Sequence, residues 1–269
     1  MDRREFLGLA GAGIAGVALA QERPAGESYS FVAVADPHLR QNLEGELTGE
    51  EKFRRVFAAI KTLDPAPEFM LLLGDLHLDV LERLLPESPL PIHPVAGNHE
   101  SKKDREWLRR LFPEDFQNRD FYSFTHRGDL FIGLCNAGHI DHIGHFETET
   151  ILPPVGQCEW LAERLAARGE FRRVVLFGHV PPEPALKPNG MCLGQNDARW
   201  LFEQVRQTRP TALFFGHLHR RAWFDIDGVP VFGMRSCNWN FAKEPVGFGH
   251  VTTTPEGLAV RFVETGVKG

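Results

Sequence analysis

The feature that most constrains this chain is a set of short apolar runs that each stop at a glycine or a polar residue. Runs of this kind, largely uninterrupted by polar residues, are typical of strands covered on both faces. Because amphipathic segments separate them, they predict a layered α/β fold. The five runs are 31–35, 69–73, 91–96, 174–177 and 212–215.

Helical patterns lie between these runs. Apolar residues recur there at the spacing that puts them on one side of a helix. The three predicted helices cover 51–63, 157–167 and 196–207. Further along, Asp227-Gly228 separates two strand-like runs, which is typical of a two-residue hairpin turn.

Four more strands are predicted outside the central runs. A second hairpin is expected near the carboxyl end, and the less regular stretch 101–152 contains two strands followed by a long loop. These strands are 248–254, 258–264, 121–124 and 130–132. Together the patterns predict an α/β (α+β) four-layer sandwich, with two mixed β-sheets packed face to face and flanking helices.

Composition and charge restrict the partners. The chain has 269 residues, of which 42% are hydrophobic and 25% charged, as in an ordinary globular protein. Its net charge is −6 and no long basic run occurs, so we expect no nucleic-acid partner. No domain boundary is visible after residue 20, and we expect one domain over 21–269.

The first twenty residues are typical of an export signal. Arg3 and Arg4 precede an apolar run that is shorter than the roughly 20 residues of a membrane span and ends in Ala18-Leu19-Ala20. The segment around the two arginines resembles a twin-arginine signal. We expect cleavage after Ala20, use of the twin-arginine export machinery, a periplasmic or secreted protein, and no stable membrane insertion after processing. An uncleaved anchor or a packed helix is the alternative.

The sequence does not settle whether the four cysteines form disulfides. Export permits disulfides and allows three full pairings, but folding before twin-arginine export would take place in a reducing compartment. Their spacing is not that of a zinc finger. They are Cys135, Cys158, Cys192 and Cys237.

Oxygen and imidazole groups follow the five central runs. Ligands of open α/β sheets bind at the carboxyl ends of strands, so we expect these groups to meet at one edge. Carboxylate, amide and imidazole donors suit borderline divalent metals, and their number suffices for two ions. The groups are Asp36, His38, Asp75, Asn98, His99, His179, His217 and His219.

In order, these motifs resemble those of the calcineurin-like metallophosphoesterase superfamily: D-x-H, GD, GNHE, GH and GHxH, between Phe31 and Glu264. The resemblance implies a β-sandwich and two divalent metal ions, which the donors leave open as Mn, Fe or Zn. It implies that one metal is held by Asp36, His38 and His219, and the other by Asn98, His179 and His217. Asp75 would bridge the two.

The same resemblance implies a phosphoester hydrolase. A hydroxide between the metals would attack the phosphorus of a small-molecule phosphoester, either a monoester or a diester. His99 would contact the phosphoryl group and protonate the leaving oxygen, and Glu100 would orient His99. A phosphodiesterase for cyclic nucleotides or glycerophosphodiesters remains the alternative, and a non-catalytic scaffold on this fold is a further one.

Two weaker signals stay open. A loop carries His139, His142 and His145, which would either touch substrate or belong to a solvated segment. Arg40 follows the first metal motif and would either meet a phosphate or remain a surface residue.

Overall fold

The structure is a computed structural model that describes residues 28–42, 45, 47–138, 143–146, 156–182 and 191–267. Among these residues, the strands form two mixed sheets. Sheet 1 has the order β11-β10-β1-β2-β3, and sheet 2 has the order β4-β5-β6-β7-β9-β8. The strands are β1 (Ser30–Val34), β2 (Pro67–Leu73), β3 (Ile92–Val95), β4 (Tyr122–His126), β5 (Asp129–Gly133), β6 (Val174–Phe177), β7 (Ala212–Phe215), β8 (Ala222–Ile226), β9 (Val229–Gly233), β10 (Gly247–Thr254) and β11 (Gly257–Glu264).

The helices flank the sheets. They are α1 (Gly49–Ile60), α2 (Leu78–Leu84), α3 (Lys102–Leu111), α4 (Pro113–Phe116), α5 (Gln157–Ala166) and α6 (Gln195–Thr208). Within the described ranges, none of these helices is long and apolar enough to cross a membrane.

The two sheets pack face to face through aromatic side chains. Phe31 of β1 contacts Phe131 of β5 and Phe214 of β7 edge to face, at ring-centroid distances of 5.4 and 6.0 Å. Phe69 of β2 meets the same Phe131 at 5.1 Å. These contacts join sheet 1 to sheet 2 over a core of buried apolar residues.

The outer faces are covered by helices. Helix α1 buries Phe53, Val56 and Ile60 in the same core as sheet 1, and a capping box between Thr48 and Glu51 fixes its start. Helices α5 and α6 contribute buried leucines to a second core with the other face of sheet 2. The four-layer sandwich predicted from the sequence is therefore confirmed.

Parallel pairing sets the direction of the central strands. Strand β1 pairs with β2, and β2 with β3, all parallel. Strands β5, β6 and β7 are also mutually parallel. The carboxyl ends of β1, β2, β3, β6 and β7 consequently lie together at one edge of the sandwich.

The four cysteines, all within the described ranges, form no disulfide: Cys135, Cys192 and Cys237 are buried, and Cys158 is half-buried. Burial raises the pKa of the Cys135 thiol to about 11, which keeps it protonated near neutral pH.

Candidate metal centre

The common edge of the two sheets brings the seven predicted metal ligands together. Their side chains are all buried, although all seven are charged or polar. Burial of so many polar groups requires partners that neutralise them. Sheet 1 provides Asp36 and His38 after β1, Asp75 after β2 and Asn98 after β3, and sheet 2 provides His179 after β6 and His217 and His219 after β7.

The side chains form two donor groups that share Asp75. One group is Asp36, His38, Asp75 and His219, and the other is Asp75, His179 and His217. Oδ2 of Asp75 lies 3.4 Å from Nε2 of His38 and 3.4 Å from Nε2 of His179. One carboxylate oxygen is thus equally close to a ring nitrogen of each group.

Backbone carbonyls fix two of the imidazole rings. Nδ1 of His219 is 2.8 Å from the Trp239 carbonyl oxygen, and Nδ1 of His179 is 2.7 Å from that of Leu73. A carbonyl oxygen only accepts, so each Nδ1 carries the proton. In the neutral rings, Nε2 of each histidine therefore presents a lone pair to the centre.

These lone pairs face other acceptors. Nε2 of His179 lies 3.0 Å from Oδ1 of Asn98, and Nε2 of His219 lies 3.5 Å from Oδ1 of Asp36. Nε2 of His38 is 3.0 Å from Nε2 of His219. Acceptors that converge on acceptors in a buried space need a cation between them, and the N,O donor set is one that Mn, Fe and Zn accept. The residues fit divalent metal ions.

The pKa pattern shows the same demand for positive charge. Burial is the largest cause that lowers the pKa of His38 to about 3 and of His219 to about 4, so both rings are neutral donors at pH 7. Burial also opposes a charged His179, but Asp75 and Asp36 outweigh it and raise the pKa of His179 to about 10. Without a metal, a proton on His179 offsets the Asp75 carboxylate, and burial raises the pKa of Asp36 well above its usual range.

Backbone strain is concentrated on the ligands. Five of them have a positive φ, a conformation that non-glycine residues rarely adopt and that needs support from its surroundings. Gly216 precedes one of them, and a Cβ there would collide with the Asp36 carboxylate. The five are Asp36 (48°), His38 (40°), Asp75 (57°), His217 (69°) and His219 (45°).

His99 and Glu100 differ in exposure. The His99 side chain is 40% exposed at the cavity, and its Nε2 lies 3.9 Å from Oδ2 of Asp75. Glu100 is buried, and its carboxylate accepts hydrogen bonds from the backbone N–H groups of Asp75, Leu76 and Gly97. Among the described residues, none of its hydrogen bonds reaches the His99 ring. Glu100 thus acts on the backbone of two ligand loops, whereas the sequence predicted a direct effect on His99.

Three further residues support the loops that carry the predicted ligands. Oδ1 of Asn136 accepts hydrogen bonds from the backbone N–H groups of His179 (2.9 Å) and Val180 (3.2 Å). Nδ2 of Asn238 donates to the carbonyls of Pro37 and His38, both at 3.0 Å. The ammonium of Lys52 donates to the carbonyl and side-chain oxygens of Asn238. Asn136 follows β5, so the strand-end rule could have found it.

The two weaker sequence signals, Arg40 and the histidine-containing loop, have different outcomes in the structure. Arg40 forms an exposed ion pair with Asp79, at 2.8 Å. His139 and His142 lie outside the described residues. His145 is described, and its backbone N–H donates to the Asn136 carbonyl at 3.0 Å, next to the His179 loop.

Comparisons with known proteins show the family of this chain. The sequence model of the calcineurin-like phosphoesterase family matches residues 29–221. The chain is 28% identical, over 84% of each chain, to a probable cyclic nucleotide phosphodiesterase of Rhodopseudomonas palustris. It is 23% identical to the human serine/threonine-protein phosphatase CPPED1, over 76% of this chain and 70% of that protein.

A solved structure confirms the architecture. The crystal structure of a dimetal phosphatase from Danio rerio superposes with a TM-score of 0.67 at 15% identity, covering 90% of this chain and 98% of that one. At this identity the likeness concerns the fold alone. The family match covers most of the chain and includes all the predicted ligands. The chain belongs to the calcineurin-like phosphoesterase family, and it is a metal-dependent hydrolase of phosphoesters.

Proposed function

We propose that the chain hydrolyses phosphoesters with two divalent metal ions. The observation that carries this proposal is the position of Asp75, whose Oδ2 lies 3.4 Å from a ring nitrogen of each donor group. Asp36, His38 and His219 would complete one site with Asp75. Asn98, His179 and His217 would complete the other.

The residues around the metals have separate tasks. Bound divalent metals would supply Lewis acidity, which activates water and stabilises charge on phosphoryl oxygens. His99 is the exposed imidazole at the cavity, and it would hydrogen-bond the phosphoryl group and protonate the leaving oxygen. Oδ1 of Asp75 accepts the backbone N–H of His99 at 3.1 Å, so the shared carboxylate also fixes the position of this residue.

The relatives support both a monoester and a diester substrate. One is a phosphatase of phosphoproteins by its name, and the other is a probable cyclic nucleotide phosphodiesterase that this chain matches over 84% of its length. The latter makes a phosphodiesterase for cyclic nucleotides the second candidate. A non-catalytic scaffold is disfavoured because all seven donors are present and converge.

An experiment on purified protein tests the proposal. The protein is reconstituted with Mn²⁺, and kcat/KM is measured for an aryl phosphate monoester and an aryl phosphate diester, with Asp75→Asn as the blank. We expect two metal ions per chain by elemental analysis. We also expect Asp75→Asn to reduce turnover by at least about 10²-fold, the usual cost of losing one fixed electrostatic partner. Turnover of neither ester above the blank would contradict the proposal.

The mono- and diester rates then separate the two candidates. A strong diester preference would identify a phosphodiesterase and make cyclic nucleotides and glycerophosphodiesters the next substrates. A monoester preference would identify a phosphatase.

We also propose that the protein is exported by the twin-arginine machinery and processed after Ala20. The support is the order of Arg3, Arg4, the apolar run and Ala18-Leu19-Ala20 in the sequence. In a bacterial host we expect mature protein starting at Gln21 outside the cytoplasm, by mass spectrometry. Replacement of Arg3 and Arg4 by lysine should retain the precursor inside, and unchanged export would contradict this proposal.

A further inference from the structure

An aromatic wall stands beside the metal centre. The cavity over the ligands has a volume of about 360 Å³, and its lining includes four residues that are neither predicted ligands nor His99. They are Gln41, Met191, Trp239 and Phe241. We call Trp239 and Phe241 the aromatic wall.

The wall is in direct contact with a metal ligand. The Trp239 ring lies 4.0 Å from the His219 ring, and Phe241 packs edge to face on Trp239 at 5.1 Å. The Phe241 and His219 ring centroids are 6.2 Å apart. A group attached to a phosphate at the metals therefore reaches the wall across a short linker.

Phe241 is unusually exposed for its type. It is 52% exposed, and among the described residues only Trp223, which does not line this cavity, shares that property as a large hydrophobic side chain. An exposed aromatic ring at the mouth of a polar site gains free energy when an apolar surface covers it. Solvent exposure at this position points to a ligand surface.

Hydrogen bonds fix the position of the aromatic wall relative to the predicted metal ligands. The backbone N–H of Phe241 donates to the His219 carbonyl at 2.9 Å, and the Trp239 carbonyl accepts from the His219 ring. The Ser236 hydroxyl donates to the Asp36 carbonyl and accepts the backbone N–H groups of Asn238 and Trp239. The wall is preorganised by the loop that positions His219.

Gln41 adds a polar element to the cavity. Its Oε1 is buried, and no described group lies within hydrogen-bonding distance of it. A buried amide oxygen without a partner favours a ligand that brings an N–H or O–H donor. Heteroaromatic rings with ring or exocyclic N–H groups combine such a donor with a stacking face.

From this geometry we infer that the substrate carries a planar heteroaromatic group of the nucleobase type, which stacks on Phe241 and Trp239 while its phosphoester lies at the metals. The inference rests on the proposed function for the position of the phosphoester. It assigns Trp239, Phe241 and Gln41 as specificity-determining residues. Stacking on aromatic side chains tolerates different bases, so the wall selects a ring and not one particular base.

The test compares two substrates that differ only in the base. Adenosine 5′-monophosphate and ribose 5-phosphate release phosphate from the same primary alcohol, so their chemistry is matched. If the enzyme prefers diesters, the methyl esters of both compounds replace them. We expect kcat/KM to be about tenfold higher for the nucleotide, the usual size of one base–aromatic stack.

Variants locate the effect. Phe241→Ala should abolish the preference for the nucleotide, because it should lower kcat/KM for the nucleotide about tenfold and kcat/KM for ribose 5-phosphate much less. Trp223→Ala removes the other exposed aromatic ring and should keep the full preference. Equal kcat/KM for both substrates in the wild type, or equal losses for both substrates in Phe241→Ala, would overturn the inference.

A binding measurement needs neither metal nor turnover. Adenosine, which has no phosphate, should quench tryptophan fluorescence saturably in the metal-free wild type and in Trp223→Ala. The quenching should be lost in Trp239→Phe and weakened in Phe241→Ala. Absence of quenching in the wild type would overturn the inference. If no phosphoester is hydrolysed but adenosine still quenches the tryptophan fluorescence, the proposed function is wrong, whereas the binding role of the aromatic wall is supported.

Discussion

Two buried polar clusters lie at opposite ends of the same sandwich. The metal centre lies at the carboxyl ends of the central strands. At their amino ends, Tyr29 precedes β1, Asp129 begins β5, and Arg172 and Arg173 precede β6. We call these four residues the Asp129 cluster.

The Asp129 cluster is electrostatically complete. The Tyr29 hydroxyl donates to Oδ2 of Asp129 at 2.7 Å, and Arg173 donates to the same oxygen at 3.0 Å. The Arg172 guanidinium is 3.6 Å from Oδ1. Arg173 also donates to the Gly257 carbonyl of β11 at 3.2 Å, so the cluster ties sheet 2 to sheet 1.

The metal centre has the opposite character. Asp36 and Asp129 are both 0% exposed. Asp129 meets two guanidinium groups, whereas the described ion-pair partners of Asp36 are imidazoles. A buried carboxylate that has its cations belongs to the framework. A buried carboxylate that lacks such cations, has a strained backbone and lies next to another carboxylate belongs to a site that metal ions complete.

The sharpest way to break this distinction is to neutralise each aspartate. Asp129→Asn should lower the free energy of unfolding by about 3 kcal/mol, because it leaves two half-buried guanidinium groups without their buried carboxylate. Asp36→Asn should change it by less than about 1 kcal/mol in metal-free protein, since the amide oxygen still accepts the His217 N–H. Urea denaturation at pH 7 with a chelator measures both. Similar losses of unfolding free energy in the two variants would show that the two clusters do not differ in how their carboxylates are neutralised.

Metal addition should bring the stabilities of the two variants close together. At a Mn²⁺ concentration of 100 times Kd, binding should stabilise the wild type and Asp129→Asn by about 2.7 kcal/mol. Asp36→Asn should gain much less, because one donor carboxylate is gone. Urea denaturation with and without Mn²⁺ gives the differences, and equal gains in all three proteins would place the metal elsewhere.

Lys52 tests how far the support of the metal centre extends. Its side chain is 1% exposed, and its ammonium holds Asn238, which in turn binds the carbonyls of Pro37 and His38. Lys52→Met should weaken Mn²⁺ binding by about 10- to 100-fold, the usual effect of removing an outer partner of the ligands. Lys61→Met, an exposed change at the end of the same helix, is the matched control. Calorimetric titration with unchanged Mn²⁺ affinity in Lys52→Met would contradict this role.

The parts of the fold and the site that could be predicted are those that local sequence patterns determine. Apolar runs and strand-end donors placed the sheets and brought Asp36, Asp75 and His217 to one edge. Helix α3 was not predicted, because only three of its ten residues are apolar, namely Trp107, Leu108 and Leu111. Its capping box, Ser101 with Asp104, was the available signal.

The supporting contacts could not be read from the sequence. Lys52 and Asn238 are 186 residues apart, and a lysine within the apolar stripe of α1 has no local signature that it is buried. The role of Glu100 depends on which N–H groups face its carboxylate after folding. Such contacts follow from tertiary packing, which local periodicity does not contain.

The smallest expected effect concerns the tyrosine of the Asp129 cluster. Burial, and then Asp129, raises the pKa of Tyr29 above its usual range, and burial raises that of Tyr122, the other tyrosine in the chain. Each phenol stays protonated in the folded protein. It therefore contributes stability that is complete below about pH 10, the pKa in the unfolded chain, and is lost as the pH rises further.

Tyr29→Phe removes one of these two ionisations. Between pH 10 and pH 11 the loss of stability should be smaller by about 1 kcal/mol than in the wild type, measured by urea denaturation at the two pH values. In the wild type, absorbance at 295 nm should report tyrosinate only when circular dichroism reports unfolding. Ionisation near pH 10 in a protein that is still folded would mean that water reaches the phenol. The Asp129 cluster would then be open like the metal centre, and the contrast between the two ends would rest on charge alone.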